Sequence, residues 1–293
     1  MRKKFVETAS LIIEDNINSS LILGDIGVFG FKNLKEKFPD RVFNIGILEQ
    51  SMIGVAAGFS SEKIIPIVHS IAPFLIERAY EQIKIDFGYH KFAGNLVSVG
   101  ASFDYSRLGA THHCPADVNL ISNIPGTKIF IPGHKNEFEK LFKDNWDNES
   151  LNYFRLSEVE NDLSIDVELN EIVKLKNGNL ATMIVVGPYL KQALLAVGDL
   201  DIEIHYLNAF STGFESKINS NFPGKKLIIH EPYYSGAILQ QTFSQVSKGG
   251  CEILQIGVPK RFIHEYGTYD QLLVHSNLDH TALRNRITEF IHG

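Results

Sequence analysis

Three stretches of this chain place chemistry-bearing side chains where one element turns into the next. The first is FNIGILEQSMIGVAAGFS, residues 43–60, in which an apolar run delivers Glu49 into a segment rich in Gly, Ala, Val, Ile and Met. Burial favours the neutral form of a carboxyl group, so an acid in such surroundings suits a role that carries or shares a proton near neutral pH. The plainer alternative is a charge that favours the first turn of a helix. Gly54, Ala56, Ala57 and Gly58 give that helix several small residues, which allows close approach to its backbone. A helical Gly costs about 1 kcal/mol against Ala, so two of them imply a packing or functional reason.

The second stretch is IVHSIAPFLIERAYEQIK, where Phe74 follows a strand and a proline at the start of a helix. Its ring can stand in a cleft or fill the core. The third is SRLGATHHCPAD, a loop in which Gly109 precedes Thr111, His112 and His113. A histidine there can move protons near neutral pH. His112, His113, Cys114 and Asp117 could be imagined around a metal, but adjacent residues point apart and the spacing matches no standard zinc pattern. His230, Glu231 and His264 lie in the second half without a partner motif and read as structural or interfacial. No P-loop, GxGxxG or GxSxG phrase occurs, so nucleotide hydrolysis, dinucleotide binding and α/β-hydrolase chemistry lack their local signatures.

The elements that must position these residues follow from composition and periodicity. The chain has 293 residues, 44% apolar and 21% charged, and carries a formal charge of −6. Nothing basic points to nucleic acid or an anionic membrane. No apolar run approaches the roughly 20 residues of a membrane span, and MRKKFVETASLIIEDN reads as an amphipathic helix rather than a signal. Two widely separated cysteines, Cys114 and Cys251, fit a reducing cytoplasm. Short β-branched runs alternate with helical patterns, and several strands are continuous apolar runs, as expected where helices cover both faces of a sheet. The fold class is α/β with two domains, 1–160 and 176–293, joined by an acidic linker over 161–175.

In order along the chain, FPDRVFNIGILEQSMIGVAAG, FLIERAYEQI, LGATHHCPADVNLISNIPGTKIFIPG and LQIGVPKRFI resemble the carboxyl-terminal half of transketolase and of 1-deoxyxylulose-5-phosphate synthase. The resemblance implies a pyrimidine-binding domain for thiamine diphosphate followed by a smaller transketolase-type C-terminal α/β domain. The family's preceding domain, which grips the diphosphate through Mg²⁺ with a GDG…Asn signature, has no counterpart here. The implied protein is therefore one subunit of a split enzyme, whose N-terminal partner holds Mg²⁺ and the diphosphate in an α2β2 assembly. No metal ligand is assigned to this chain. By the resemblance, Glu49 would hydrogen-bond N1′ of the aminopyrimidine, Phe74 would stack on that ring, and Asp25, Ile26 and Ile71 would line it. His112 would touch the reacting end of the substrate, and the cofactor would act as the electron sink of a two-carbon ketol transfer.

The chain departs from the family where substrate is read. Ile71 stands at a family aromatic, Leu108 at an acid that reads sugar hydroxyls, Glu158 at a phosphate-binding arginine, and Gly100 at a histidine that helps hold phosphate. Glu in place of Arg repels a phosphate dianion, although Arg107 or Arg155 could supply a replacement charge. The expected substrate is accordingly a non-standard sugar. Two other readings stay open: a β-subunit of a 2-oxoacid dehydrogenase or decarboxylase, and a non-catalytic paralogue that binds a partner.

Overall fold

A computed structural model describes residues 1–214, 225–236 and 250–293. The helix expected over GAILQQTFSQVSK lies, beyond Gly236, outside the described residues. The remaining chain forms two sheets. The first contains β1 (Ser19–Leu23), β2 (Val42–Asn44), β3 (Ile65–Ile71), β4 (Gly94–Val99), β5 (Lys128–Phe130) and β6 (Leu151–Arg155). These strands are all parallel, in the order β5-β6-β4-β3-β1-β2.

Helices cover both faces, which is why the strand sequences are apolar without alternation. Leu21, Leu23, Val97 and Phe154 turn to one face and pack with Phe5 and Ile12 of α1 (Arg2–Asp15) and with Phe138 and Phe142 of helix Lys135–Asn145. Ile22, Val68 and Leu96 turn to the other, against Met52, Ile53 and Ala56 of helix Glu49–Ser61 and against Ile76 and Ile83. Each fully buried phenylalanine or leucine contributes about 2 kcal/mol of apolar transfer.

The second sheet contains β7 (Val173–Lys176), β8 (Ala181–Val186), β9 (Ile202–Leu207), β11 (Lys226–Tyr234) and β12 (Glu252–Val258), with only β7 antiparallel. Helices Leu190–Val197, Tyr269–His275 and His280–His292 pack on one of its faces. The two sheets are interlocked: β10 (Ala209–Ser211) leaves the second unit and adds to β5 as an antiparallel edge of the first.

PFLIERAYEQIKIDFGYH, expected as one helix, is two π-helical turns, Pro73–Glu77 and Ile83–Tyr89, around a short α-turn at Tyr80–Gln82. The wider winding is seen in the bond from Arg78 N–H to Pro73 O, 3.1 Å. Such insertions are frequent at functional sites.

Two buried histidines sit within the sheets. His69 in β3 bonds through Nδ1 to Val97 O at 2.8 Å, and His230 in β11 packs 4.8 Å from the Tyr189 ring. Burial lowers both to about 4 from an ordinary 6.5. Each stays neutral in the folded protein but protonates below 6.5 once unfolded. The stability each contributes is therefore complete above pH 6.5 and lost as pH falls towards 4, by up to about 3 kcal/mol apiece. In urea titrations at pH 7.5 and 5, His230→Gln is expected to lose less stability on acidification than wild type, the difference between the two proteins isolating this histidine.

Candidate active site

The residues singled out in the sequence gather at the carboxyl ends of the parallel strands, where open α/β sheets build sites. Past the end of β1, a Cβ on Gly24 would lie 2.8 Å from Met52 Sδ and 3.1 Å from Ser70 Oγ, so a side chain there would have to displace Met52 between helix and strand. Asp25 follows in a left-handed conformation (φ 61°) that Asp tolerates better than most residues. Its N–H donates to Asn44 Oδ1 at 3.0 Å, and Asn44 Nδ2 returns a bond to Asp25 Oδ1 at 3.2 Å. Asn44 also accepts from Gly46 N–H, so the turns after β1 and β2 are tied together. The Asp25 carboxylate is exposed and Ile26 half-buried beside them.

Glu49 is the first residue of its helix but does not cap it; Leu48 occupies the cap position. Its side chain is 1% exposed and points back to the sheet. Ser70 Oγ donates to Oε1 at 3.0 Å, and Arg78 Nη1 donates to Oε2 at 2.7 Å. The Arg78 guanidinium lies 4.3 Å above the half-buried Phe74 ring. His112 meets the same ring edge-on at 5.3 Å, and its Nδ1 is 2.9 Å from Thr111 Oγ1. Glu49, Phe74 and His112 thus form one chain of contacts through Arg78.

The neighbouring histidine turns away. His113 is buried edge-on to Phe103, and burial lowers its pKa. Asp117 is taken by Arg155, and among the described residues no group of three metal-ligating side chains occurs. The imagined set His112, His113, Cys114 and Asp117 is therefore dispersed. Arg155 is equally unavailable to a ligand: it is 1% exposed, and its Nε bonds Asp117 Oδ2 at 2.7 Å. Arg107, Leu108 and Glu158 are exposed.

The two glycines of the Glu49 helix are not closely packed against by another element of this chain. No atom of another element lies closer than 3.9 Å to a Cβ built on Gly54, and none within 4 Å on Gly58. Together with exposed Ser51 and Val55 they form a bare helix face beside the exposed Ile47 and Leu48.

Sequence reasoning missed four residues. Ser70 closes β3 and reads as ordinary strand, and Arg78 sits within FLIERAYEQI as an ordinary helical cation. Tyr105 fills the position at which a family histidine was expected: a Cβ on Gly100 (φ 81°) would lie 2.4 Å from its ring. That ring then packs near Ile71 and stands edge-on to His112 at 6.2 Å. Asp104 is buried, and accepts from Ser157 Oγ at 2.9 Å and from Glu158 N–H at 3.0 Å. Only its pairing with loop residues far along the chain distinguishes it. A cavity of about 830 Å³ near Gly88, Thr127 and Ser150 lies at the opposite, amino ends of the strands and contains none of these residues.

A buried acid beside a half-buried aromatic ring suits a flat heterocycle that presents a hydrogen-bonding nitrogen. These features define a two-unit α/β chain with a cluster of polar and aromatic side chains at its strand ends. Residues 24–160 match the family model described as "Transketolase, pyrimidine binding domain", so this part of the chain is a transketolase-type pyrimidine-binding domain. It is 33% identical, over 98% of its length and 93% of the other's, to an uncharacterized 33.6 kDa protein in the fasciation locus of Rhodococcoides fascians. It is 30% identical to one of the subunits of the apulose-4-phosphate transketolase of Actinobacillus succinogenes, over 59% of this chain and 58% of that one. Against 1-deoxy-D-xylulose-5-phosphate synthase of Syntrophotalea carbinolica the identity is 25%, over 90% of this chain but 43% of the enzyme. The fold matches a split-gene transketolase solved as an inactive β4 tetramer with a TM-score of 0.80, at 20% identity, covering 99% of this chain and 97% of the other.

Burial pushes Asp104 up to about 7 from 3.8, against the bonds it receives from Glu158 and Ser157. An acid raised on folding contributes stability that is complete below pH 3.8 and lost as pH rises through about 7, up to roughly 4 kcal/mol. Over pH 5 to 8 this loss runs against the gain from His69 and His230, so it is read as a difference between proteins: Asp104→Asn is expected to gain more stability than wild type from pH 5 to pH 8 in chemical denaturation.

Proposed function

We propose that this chain is the C-terminal subunit of a split, thiamine-diphosphate-dependent, transketolase-like enzyme that moves a two-carbon ketol unit between sugars. The observation that carries the reading is the buried Glu49 carboxylate, linked through Arg78 to Phe74 and so to His112, at the end of a parallel sheet. Residues 1–160 act as the pyrimidine-binding domain, 161–175 as the linker and 176–293 as the C-terminal domain. Glu49 holds and shares the proton at N1′ of the ring, Phe74 gives the ring a stacking face, and Asp25, Ile26 and Ile71 line its edge. His112 serves the substrate, positioned by Thr111 and by the edges of Phe74 and Tyr105. When bound, the cofactor supplies an electron sink for carbon–carbon cleavage and formation.

The partner is an N-terminal subunit that holds the diphosphate and Mg²⁺, in an α2β2 complex working in the cytoplasm. The apulose-4-phosphate transketolase relatives are themselves named as single subunits, which supports division into two chains. The inactive β4 assembly of the similar split transketolase supports dependence on a partner. The exposed apolar side chains Phe29, Ile47 and Leu48, close to the strand ends, fit such an interface. The substrate is a non-standard sugar. Relatives are named for apulose-4-phosphate and for 6-deoxy-6-sulfo-D-fructose, and Leu108 and Glu158 replace residues that read ordinary sugar phosphates.

The test is to co-purify the chain with its partner and assay a panel of ketose donors with thiamine diphosphate and Mg²⁺. Glycolaldehyde-unit transfer supports the reading; CO₂ release from a 2-oxoacid replaces it with the dehydrogenase-type one. Glu49→Gln is expected to lower kcat by about 100- to 10,000-fold, the usual contribution of a positioned proton-transfer group. Unchanged turnover would leave only a scaffold. Glu158→Arg is expected to shift selectivity towards phosphorylated donors, because a guanidinium can clamp a phosphate with two bonds; kcat/KM ratios for phosphorylated and unphosphorylated ketoses measure it.

A further inference from the structure

We infer that Arg78 is a positioning residue that latches the Glu49 carboxylate and the Phe74 ring until a cofactor ring takes its place. The inference rests on the pyrimidine-site reading above. Its basis is that one guanidinium meets both groups that the reading gives to the ring: Nη1 is 2.7 Å from Glu49 Oε2, and its carbon is 4.3 Å above Phe74. A guanidinium is flat, donates in-plane hydrogen bonds and stacks on aromatic faces. An aminopyrimidine, with its exocyclic amine beside a ring nitrogen, offers a similar flat array of polar groups. The side chain is in effect an internal stand-in.

The asymmetry of the pair suits a latch. Glu49 is 1% exposed, while Arg78 is 42% exposed and can swing into solvent. A buried carboxylate without a partner is costly, so the latch keeps the acid satisfied while no ring is present. Ser70 bonds the other oxygen and need not move. Departure of Arg78 is also what frees Oε2 of Glu49 for a hydrogen bond to a ring nitrogen. Arg78 then controls both the room for the ring and the access to its hydrogen-bonding partner.

The experiment uses the full chain alone and 4-amino-2,5-dimethylpyrimidine as probe, followed by calorimetry and by the ¹⁵N shift of its ring nitrogen. Wild type is expected to bind weakly, and Arg78→Gln about tenfold more tightly, a difference of about 1.4 kcal/mol. Arg78→Lys retains the charge without the flat fork and should bind between them. In the Arg78→Gln complex the probe's ring nitrogen is expected to show a larger hydrogen-bond shift than in wild type. If Arg78→Gln and Arg78→Lys bind no better than wild type while Phe74→Ala and Glu49→Gln lose binding, the latch is overturned and the ring site stands. If Phe74→Ala and Glu49→Gln bind as wild type does, or no form of the chain binds, the ring site itself is wrong and the latch falls with it.

Discussion

The structure turns on the buried pair of Arg155 and Asp117. Arg155 ends β6, and its Nε donates to Asp117 Oδ2, which also accepts from Tyr153 at 2.7 Å. Its Nη2 reaches Ser102 Oγ at 2.9 Å, Cys114 O at 3.4 Å and Pro232 O at 3.2 Å. Burial opposes the charge on Arg155, but Asp117 outweighs it and holds the guanidinium protonated well above its ordinary range. Desolvation of such a pair roughly cancels its Coulombic gain, so its effect is mainly positional. One guanidinium fixes the loop after β4, the approach to helix Asp117–Ile121 and, through Pro232 in β11, the second sheet. Glu137 does the same at the β5 edge, where it accepts from Gly133 N–H, Tyr206 and Asn208 at 2.8 Å each.

Because those loops are fixed from below, the cleft above them can be built from short side chains and turns. The segment from Gly100 to Cys114 leaves β4, passes Tyr105, and returns with His112 facing Phe74. Its two ends are held together by paired backbone bonds between Ser102 and Cys114. The π-helical turn that begins at Pro73 then places Phe74 and Arg78 against the helix that follows β2, two strands over in the sheet.

Much of this was legible in the sequence, and for definite reasons. The strands of the first sheet are apolar because both faces are covered, and the helix that begins at Glu49 was visible in its run of apolar and small residues. Glu49, Phe74 and His112 could be picked out because each is an unusual type at an element boundary. What escaped depends on contacts distant along the chain. Asp104 meets Ser157 and Glu158, and Arg155 meets Pro232, across separations that no local pattern records. Arg155, offered as a replacement phosphate ligand, proved to be the internal tie. Nor could local pattern show that β10 would cross to the first sheet, or that Gly54 and Gly58 would face outward.

The departures from the family prove to be connected rather than scattered. Gly100 and Tyr105 are one change: the ring occupies the volume that any side chain at 100 would need, and so brings a phenol beside His112. Glu158 and Asp104 are a second, since the backbone N–H of Glu158 satisfies the buried acid while its side chain stays exposed. The two changes meet in a single loop, because Asp104 and Tyr105 are adjacent. A cation restored at 158 would therefore act on more than the substrate. It would also stand next to a buried acid that burial has pushed to about 7, favour the charged form of that acid, and strengthen the hold on the loop that carries Tyr105 towards His112. The residue at 158 and the order of the loop are coupled through Asp104.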